Sequence, residues 1–173
     1  MAKHVARHNN KVLQQYLEVQ HPQLRVAPFC NCQRSRKPDC PVPGKCTTNN
    51  VVYQAQVTEL DSGNEEFYTG CTKRPIKKRV QEHFGAINKI SNEGQTTFST
   101  HVRKLKQDNI PHQIKWSVRD RGPPYNPTTK SCRLCLLEKY YIMFEPEKAT
   151  LNQRSEFFGH CWHKAPQLLV KQK

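Results

Sequence analysis

The sequence predicts an α+β fold, a short antiparallel sheet flanked by helices, with zinc-stapled appendages on either side. Three observations carry this expectation. Residues 51–57 and 67–70 read as strands joined by the turn Asp61-Ser-Gly-Asn64, which is a hairpin pattern. Later stretches that include Ile76, Phe98 and Cys132 repeat apolar residues at helical spacing instead. Eight cysteines, most of them in two groups, lie outside the predicted sheet.

The first 28 residues offer one element, a short amphipathic helix over 11–19 on Val12, Leu13, Tyr16 and Leu17, which ends at His21-Pro22. Residues 29–50 are rich in cysteine, proline and basic side chains and have no periodicity. Val-Val-Tyr-Gln-Ala-Gln-Val then opens the hairpin. Pro75 suits a first helical position, and Ile76, Val80, Phe84 and Ile87 follow on one face. Phe98, Val102 and Leu105 mark a second helix opened by a Thr/Ser cluster. Ile114, Trp116 and Val118 alternate as a strand, and residues 122–129 form a surface loop rich in proline. The segment Cys132–Phe144 is apolar almost all round, so it is expected to be the central, most buried helix.

Lys and Arg number 28 against 14 Asp and Glu, for a net charge of +14. An excess of that size along the whole chain points to a nucleic-acid partner, ahead of an anionic membrane or plain solubility. The N-terminus lacks the apolar core of a signal peptide, and no run approaches the ~18 apolar residues of a membrane span. A nuclear or other intracellular location is therefore expected rather than secretion. In that setting cysteines read as metal ligands, not disulfides.

The first cysteine group is Cys30-x-Cys32-x7-Cys40-x5-Cys46, in which Pro41, Pro43 and Gly44 bend the chain so that four thiolates can close a tetrahedral site. The bland alternative is a set of unliganded thiols in a linker. The second group is Cys132-x2-Cys135, with Cys161 and His163 as distant partners and His160 competing for the last places. About two zinc ions are expected. Cys71 fits neither group. Glu138 lies within the apolar stripe of Leu134, Leu137 and Tyr141, where a carboxylate needs a basic partner or a metal ion. Arg79 and His83 stand four residues apart on the first helix of the core, hence on adjoining surface; His83 lies inside the stripe of Ile76, Val80 and Ile87, where a histidine is more often a satisfied core residue, and Arg79 sits at its margin.

Taken together, these residues resemble the signature of the GIY-YIG nucleases. Tyr53 in Val-Val-Tyr is followed fifteen residues later by Tyr68-Thr-Gly70, then by Arg79 and His83, Glu138 and Asn152. The narrower likeness is to the endonuclease domain of Penelope-like retroelements, through the cysteine-rich lead-in, Tyr-Thr-Gly-Cys-Thr, Ile114-Lys-Trp, Cys-x2-Cys-Leu-x-Glu-Lys and Leu-Asn-x-Arg-Ser-Glu. It covers roughly residues 28–164. Neither eponymous tripeptide is present, and Cys71 stands where some members of the wider family carry lysine.

The resemblance implies a GIY-YIG fold over 51–164, with a cysteine-rich zinc-binding segment at 29–50 before it and a basic tail at 165–173 after it. It implies a divalent-metal-dependent DNA endonuclease that nicks or cuts its target and supplies a 3′ hydroxyl for retroelement insertion. Glu138 would hold one Mg²⁺ or Mn²⁺, Arg79 would contact the phosphate, and Tyr53 or Tyr68 would orient or deprotonate water. His83 would assist proton transfer, and Asn152 would anchor the site. Lys73, Arg74, Lys77 and Lys78 would grip DNA, and the element's own reverse transcriptase domain would be the protein partner. The alternative is a non-enzymatic, zinc-dependent nucleic-acid-binding module.

Overall fold

The computed structural model describes Cys30, Cys32 and residues 40–89, 96–123, 125–129 and 132–152. The expected helix over 11–19, the basic tail, Cys161 and His163 lie outside the described residues. Six principal elements follow in order: β1 (Val51–Glu59), β2 (Glu65–Thr72), α1 (Ile76–Asn88), α2 (Thr97–Gln107), β3 (His112–Arg121) and α3 (Arg133–Phe144). A single 3₁₀ turn, Pro146–Lys148, comes after α3. No helix among the described residues is long and apolar enough to cross a membrane.

The sheet has the order β2-β1-β3, antiparallel throughout. As the middle strand, β1 is covered on both faces, which is why Val51 to Ala55 are all buried. One face carries Val51, Tyr53, Ala55 and Val57 against Ile76, Val80 and Ile87 of α1, Phe98, Val102 and Leu105 of α2, and Trp116 of β3. The opposite face presents Val52 to Cys132, Leu134 and Cys135. The period of two along β1 thus divides the core between the α1/α2 layer and α3.

Both ends of α1 are satisfied from outside the helix. The first turn of α1 has no side-chain cap; its Ile76 and Lys77 N–H groups donate to the Thr48 and Cys46 carbonyls, at 3.0 and 2.8 Å. At the other end, Arg103 of α2 donates to the Ala86 and Ile87 carbonyls, at 2.6 and 3.3 Å. Thr96 and Ser99 form a reciprocal capping box at the start of α2.

Two sequence expectations need correction. On α1 His83 faces the core with Ile76, Val80 and Ile87, as its place in their stripe implied, whereas Phe84, expected on the same face, turns outward. At about 100° per residue, position 83 lies nearer the mean direction of Ile76, Val80 and Ile87 than position 84 does. The helix at Arg133–Phe144 is not central. It covers the second face of the sheet and leaves Leu136, Tyr140, Met143 and Phe144 exposed.

Candidate functional site

Tyr53 is fully buried in the middle of β1, paired with Gly70 on β2. Its ring lies directly over that glycine. A Cβ at Gly70 would stand 2.6 Å from Tyr53 Oη and 2.8 Å from Cζ, so no side chain fits there. The phenol oxygen meets His83 Nε2 at 2.7 Å and accepts from Arg79 Nε at 3.1 Å. Burial, aided by the Arg79 charge, pulls His83 down to about 3. The imidazole is therefore neutral near pH 7. A neutral imidazole can accept the phenol proton on Nε2 while keeping its own ring proton on Nδ1. Burial also makes Tyr53 harder to ionise, outweighing the opposing pull of Arg79.

Arg79 is held from its other side by Glu82, at 3.3 Å, which in turn pairs with Arg74 at 2.6 Å. Tyr68 is buried beside the same group, with its ring centroid 5.7 Å from that of His83 and 6.5 Å from that of Tyr53. Phe98 and Trp116 close the aromatic box around His83, at 5.2 and 5.4 Å. This imidazole is both a core residue and a hydrogen-bonded partner of Tyr53 and, through it, of Arg79.

Next to Arg79 opens a cavity of about 330 Å³ lined by Cys71, Thr72, Lys73, Arg74, Arg79, Leu134 and Cys135. Three of these seven side chains are cationic, so the cavity suits an anion. Glu138 of α3 contacts one of the lining residues, its Oε2 accepting from the Cys71 thiol at 3.1 Å. The Glu138 charge also adds to the difficulty of ionising Tyr53, which puts the carboxylate within electrostatic reach of the tyrosine. Cys71, left unassigned by its spacing, thus occupies the seam between β2 and α3.

The four sulfurs of Cys30, Cys32, Cys40 and Cys46 all lie within 4.8 Å of one another. A tetrahedral zinc site with bonds of about 2.3 Å separates its sulfurs by about 3.8 Å, so the cluster can hold a structural metal ion such as zinc. Hydrogen bonds from the Cys32 backbone and the Cys46 and Cys40 thiols bring Cys30 down to about 6, giving the group a ready thiolate. The cluster is no loose appendage. Val42 belongs to the main core, and the Cys46 carbonyl caps α1. Lys77 donates its ammonium to Cys32 Sγ at 3.2 Å.

Among the remaining expected site residues, Cys132 and Cys135 meet at 3.1 Å between sulfurs. Lys73 and Lys78 are exposed. Asn152 grips β2, accepting from the Thr69 N–H and donating to the Thr69 carbonyl, both at 2.8 Å. Sequence reasoning missed Glu82, which an i, i+3 pairing with Arg79 could have suggested. It also missed Cys71, for which no spacing gave a signal. No protein-family model, no curated protein and no solved structure matches the chain.

Proposed function

We propose that the protein is a divalent-metal-dependent DNA endonuclease of the GIY-YIG type, akin to the nuclease domain of Penelope-like retroelements, and that it hydrolyses a phosphodiester in the cavity beside Arg79. One observation carries this reading: the cationic cavity is lined both by Arg79, which is hydrogen-bonded to the buried Tyr53–His83 pair, and by Cys71, whose thiol is hydrogen-bonded to Glu138. In-line hydrolysis needs positive charge on the phosphorane-like transition state and a site for a metal-bound water.

Arg79 has five N–H donors, and its contacts to Tyr53 and Glu82 leave others to meet a phosphate in the cavity. Tyr53, buried and slow to ionise, orients Arg79 and His83 rather than acting as the base. Glu138, whose Oε2 accepts from the Cys71 thiol, would hold a hard cation through a carboxylate oxygen. A Mg²⁺ or Mn²⁺ held there would polarise the phosphate and acidify a bound water. Asn152 holds β2 one residue before Gly70. In a retroelement, the cut would liberate the 3′ hydroxyl that primes reverse transcription.

The test is nicking of supercoiled plasmid by purified protein with Mg²⁺ or Mn²⁺, with an EDTA control, for wild type and Glu138→Gln. The variant keeps an oxygen for the Cys71 thiol, so the fold should persist while cleavage falls by roughly 10²-fold or more. A folded Glu138→Gln that nicks at the wild-type rate rules out the carboxylate's role. Had the carboxylate been half of a buried ion pair, the same change would instead cost about 3–5 kcal/mol of stability. DNA binding without metal-dependent cleavage in wild type would leave the non-enzymatic nucleic-acid-binding module.

A further inference from the structure

Cys71 has a place in the structure that its spacing did not reveal. Its sulfur contacts Glu138 Oε2 at 3.1 Å, and the residue packs against the cluster of Cys132 and Cys135, whose sulfurs lie 3.1 Å apart. Cys132 is the N-cap of α3, and Cys135 and Glu138 follow at intervals of three, one donor for each successive turn. Cys71 faces this ridge from β2. Two contacting pairs, Cys132–Cys135 and Cys71–Glu138, thus share one seam, three sulfurs and a carboxylate from two adjoining elements.

We propose that Cys71, Cys132, Cys135 and Glu138 form a second metal site, taking a thiophilic divalent cation of the zinc or cadmium class through three sulfurs and one carboxylate oxygen. The donor set decides the class. Thiolates select zinc-like ions over Mg²⁺, and four N, O or S ligands complete a closed tetrahedral site. Unlike the four-cysteine cluster, these donors form two contacting pairs rather than a ready cage. Side chains three apart on a helix have Cβ atoms about 5–6 Å apart, and metal sites elsewhere use that interval, so side-chain rotation can close the two pairs around an ion. This ligand set is an alternative to one in which Cys161 and His163 complete the site of Cys132 and Cys135.

A further consequence rests on the proposed nuclease function. Glu138 cannot serve both ions. A zinc-class ion that draws the carboxylate into its own sphere removes it from the hard cation, so the two ions exclude each other.

The experiment has two readouts, neither of which is activity. Full-length protein is loaded with Cd²⁺, freed of excess by gel filtration and analysed for cadmium per chain. Cys71→Ser should retain one ion fewer than wild type, whereas the double variant Cys161→Ser/His163→Ala should match wild type. An unchanged count in Cys71→Ser, or the loss of an ion in the double variant, overturns the ligand assignment. Should Cys71→Ser lose its cooperative melt, Glu138→Gln gives the same comparison in competition with a chelator; unchanged retention there overturns it equally.

The second readout is the electron paramagnetic resonance of Mn²⁺. Adding Cd²⁺ should release bound Mn²⁺ from wild type but not from Cys71→Ser. Wild type that keeps Mn²⁺ with Cd²⁺ bound refutes the overlap at Glu138. Wild type that binds no Mn²⁺ defeats the hard-ion reading of Glu138 instead, and the cadmium count still decides the soft site.

Discussion

Tyr53 and Gly70 share one volume in the sheet, so their substitutions cannot act independently. Ala at position 70 would press on Oη and Cζ of Tyr53, whose ring His83 and Arg79 hold in place. Overpacking of this kind costs about 1–3 kcal/mol. Tyr53→Phe should cost a similar amount, by leaving buried polar partners unsatisfied. The double variant should be less destabilised than the sum, because Phe removes the atom that Ala meets first. Urea melts of the four proteins give this coupling, and strict additivity would mean that the two side chains do not touch. His83 makes a second residue-scale prediction. Its folded value of about 3 lies below the usual 6.5, so between those values the unfolded chain binds the extra proton. Stability is then complete above about pH 6.5 and falls as pH drops toward 3, with a slope of up to about 1.4 kcal/mol per pH unit. His83→Gln should flatten that part of the profile, read as melting temperature against pH. The sequence showed His83 on an apolar face and Tyr53 in a strand. It did not show the hydrogen bond between them, because that contact depends on how α1 lies across β1.

At the scale of elements, α1 depends on a segment with no regular structure. Its first N–H groups are taken by the Cys46 and Thr48 carbonyls, and Lys77 reaches back to Cys32. A divalent ion on four thiolates leaves a net charge of −2, which an ammonium at 3.2 Å offsets. Lys77→Met should therefore weaken zinc retention roughly 10–100-fold in competition with a chelator, while Lys78→Met leaves it unchanged. Equal retention in both variants would put Lys77 back among the residues proposed for DNA. The same anchorage means that loss of the ion should loosen the first turn of α1, and with it Arg79. Hydrogen exchange at Ile76 and Lys77, with and without chelator, reports on this directly. Strands and helices were legible here because their periods were clean. The docking of 40–48 was not, since an aperiodic run of cysteines and prolines carries no directional signal. α3 was misjudged for a related reason: apolar residues on all sides indicate burial but do not say by what.

For the whole molecule, charge is the feature that sequence alone discloses most fully. A net +14 needs no fold to be read, and the fold concentrates part of it at the cavity through Lys73, Arg74 and Arg79. DNA affinity should fall linearly with the logarithm of salt concentration, by about 0.9 in log Kd per log unit for each phosphate neutralised. Lys78→Glu should weaken binding to unrelated sequences alike and lower that slope by about 1. Lys77→Glu should act through the metal cluster instead. Titrations at several salt concentrations separate the two, and binding indifferent to salt would count against a phosphate-contacting role. The architecture itself was largely readable, as three strands and three helices in the expected order. The convergence of Arg79, Cys71, Cys135 and Glu138 was not, because it brings β2 and α1 together with a helix some sixty residues downstream.

The outer edge of β2 has one more consequence, this time for synthesis. As an edge strand it would present a row of unpaired backbone groups to any passing chain. Here that row is taken: Phe67 N–H donates to Thr150 Oγ1, the Phe67 carbonyl accepts from Leu151 N–H, and Asn152 answers both backbone groups of Thr69. The residues that complete the edge lie 83 positions after those they cover. At about 5–20 residues per second, a ribosome takes roughly 4–17 s to deliver them. For that interval the nascent hairpin carries an open edge, which makes it a place where a chaperone or a neighbouring nascent chain can pair before Asn152 arrives.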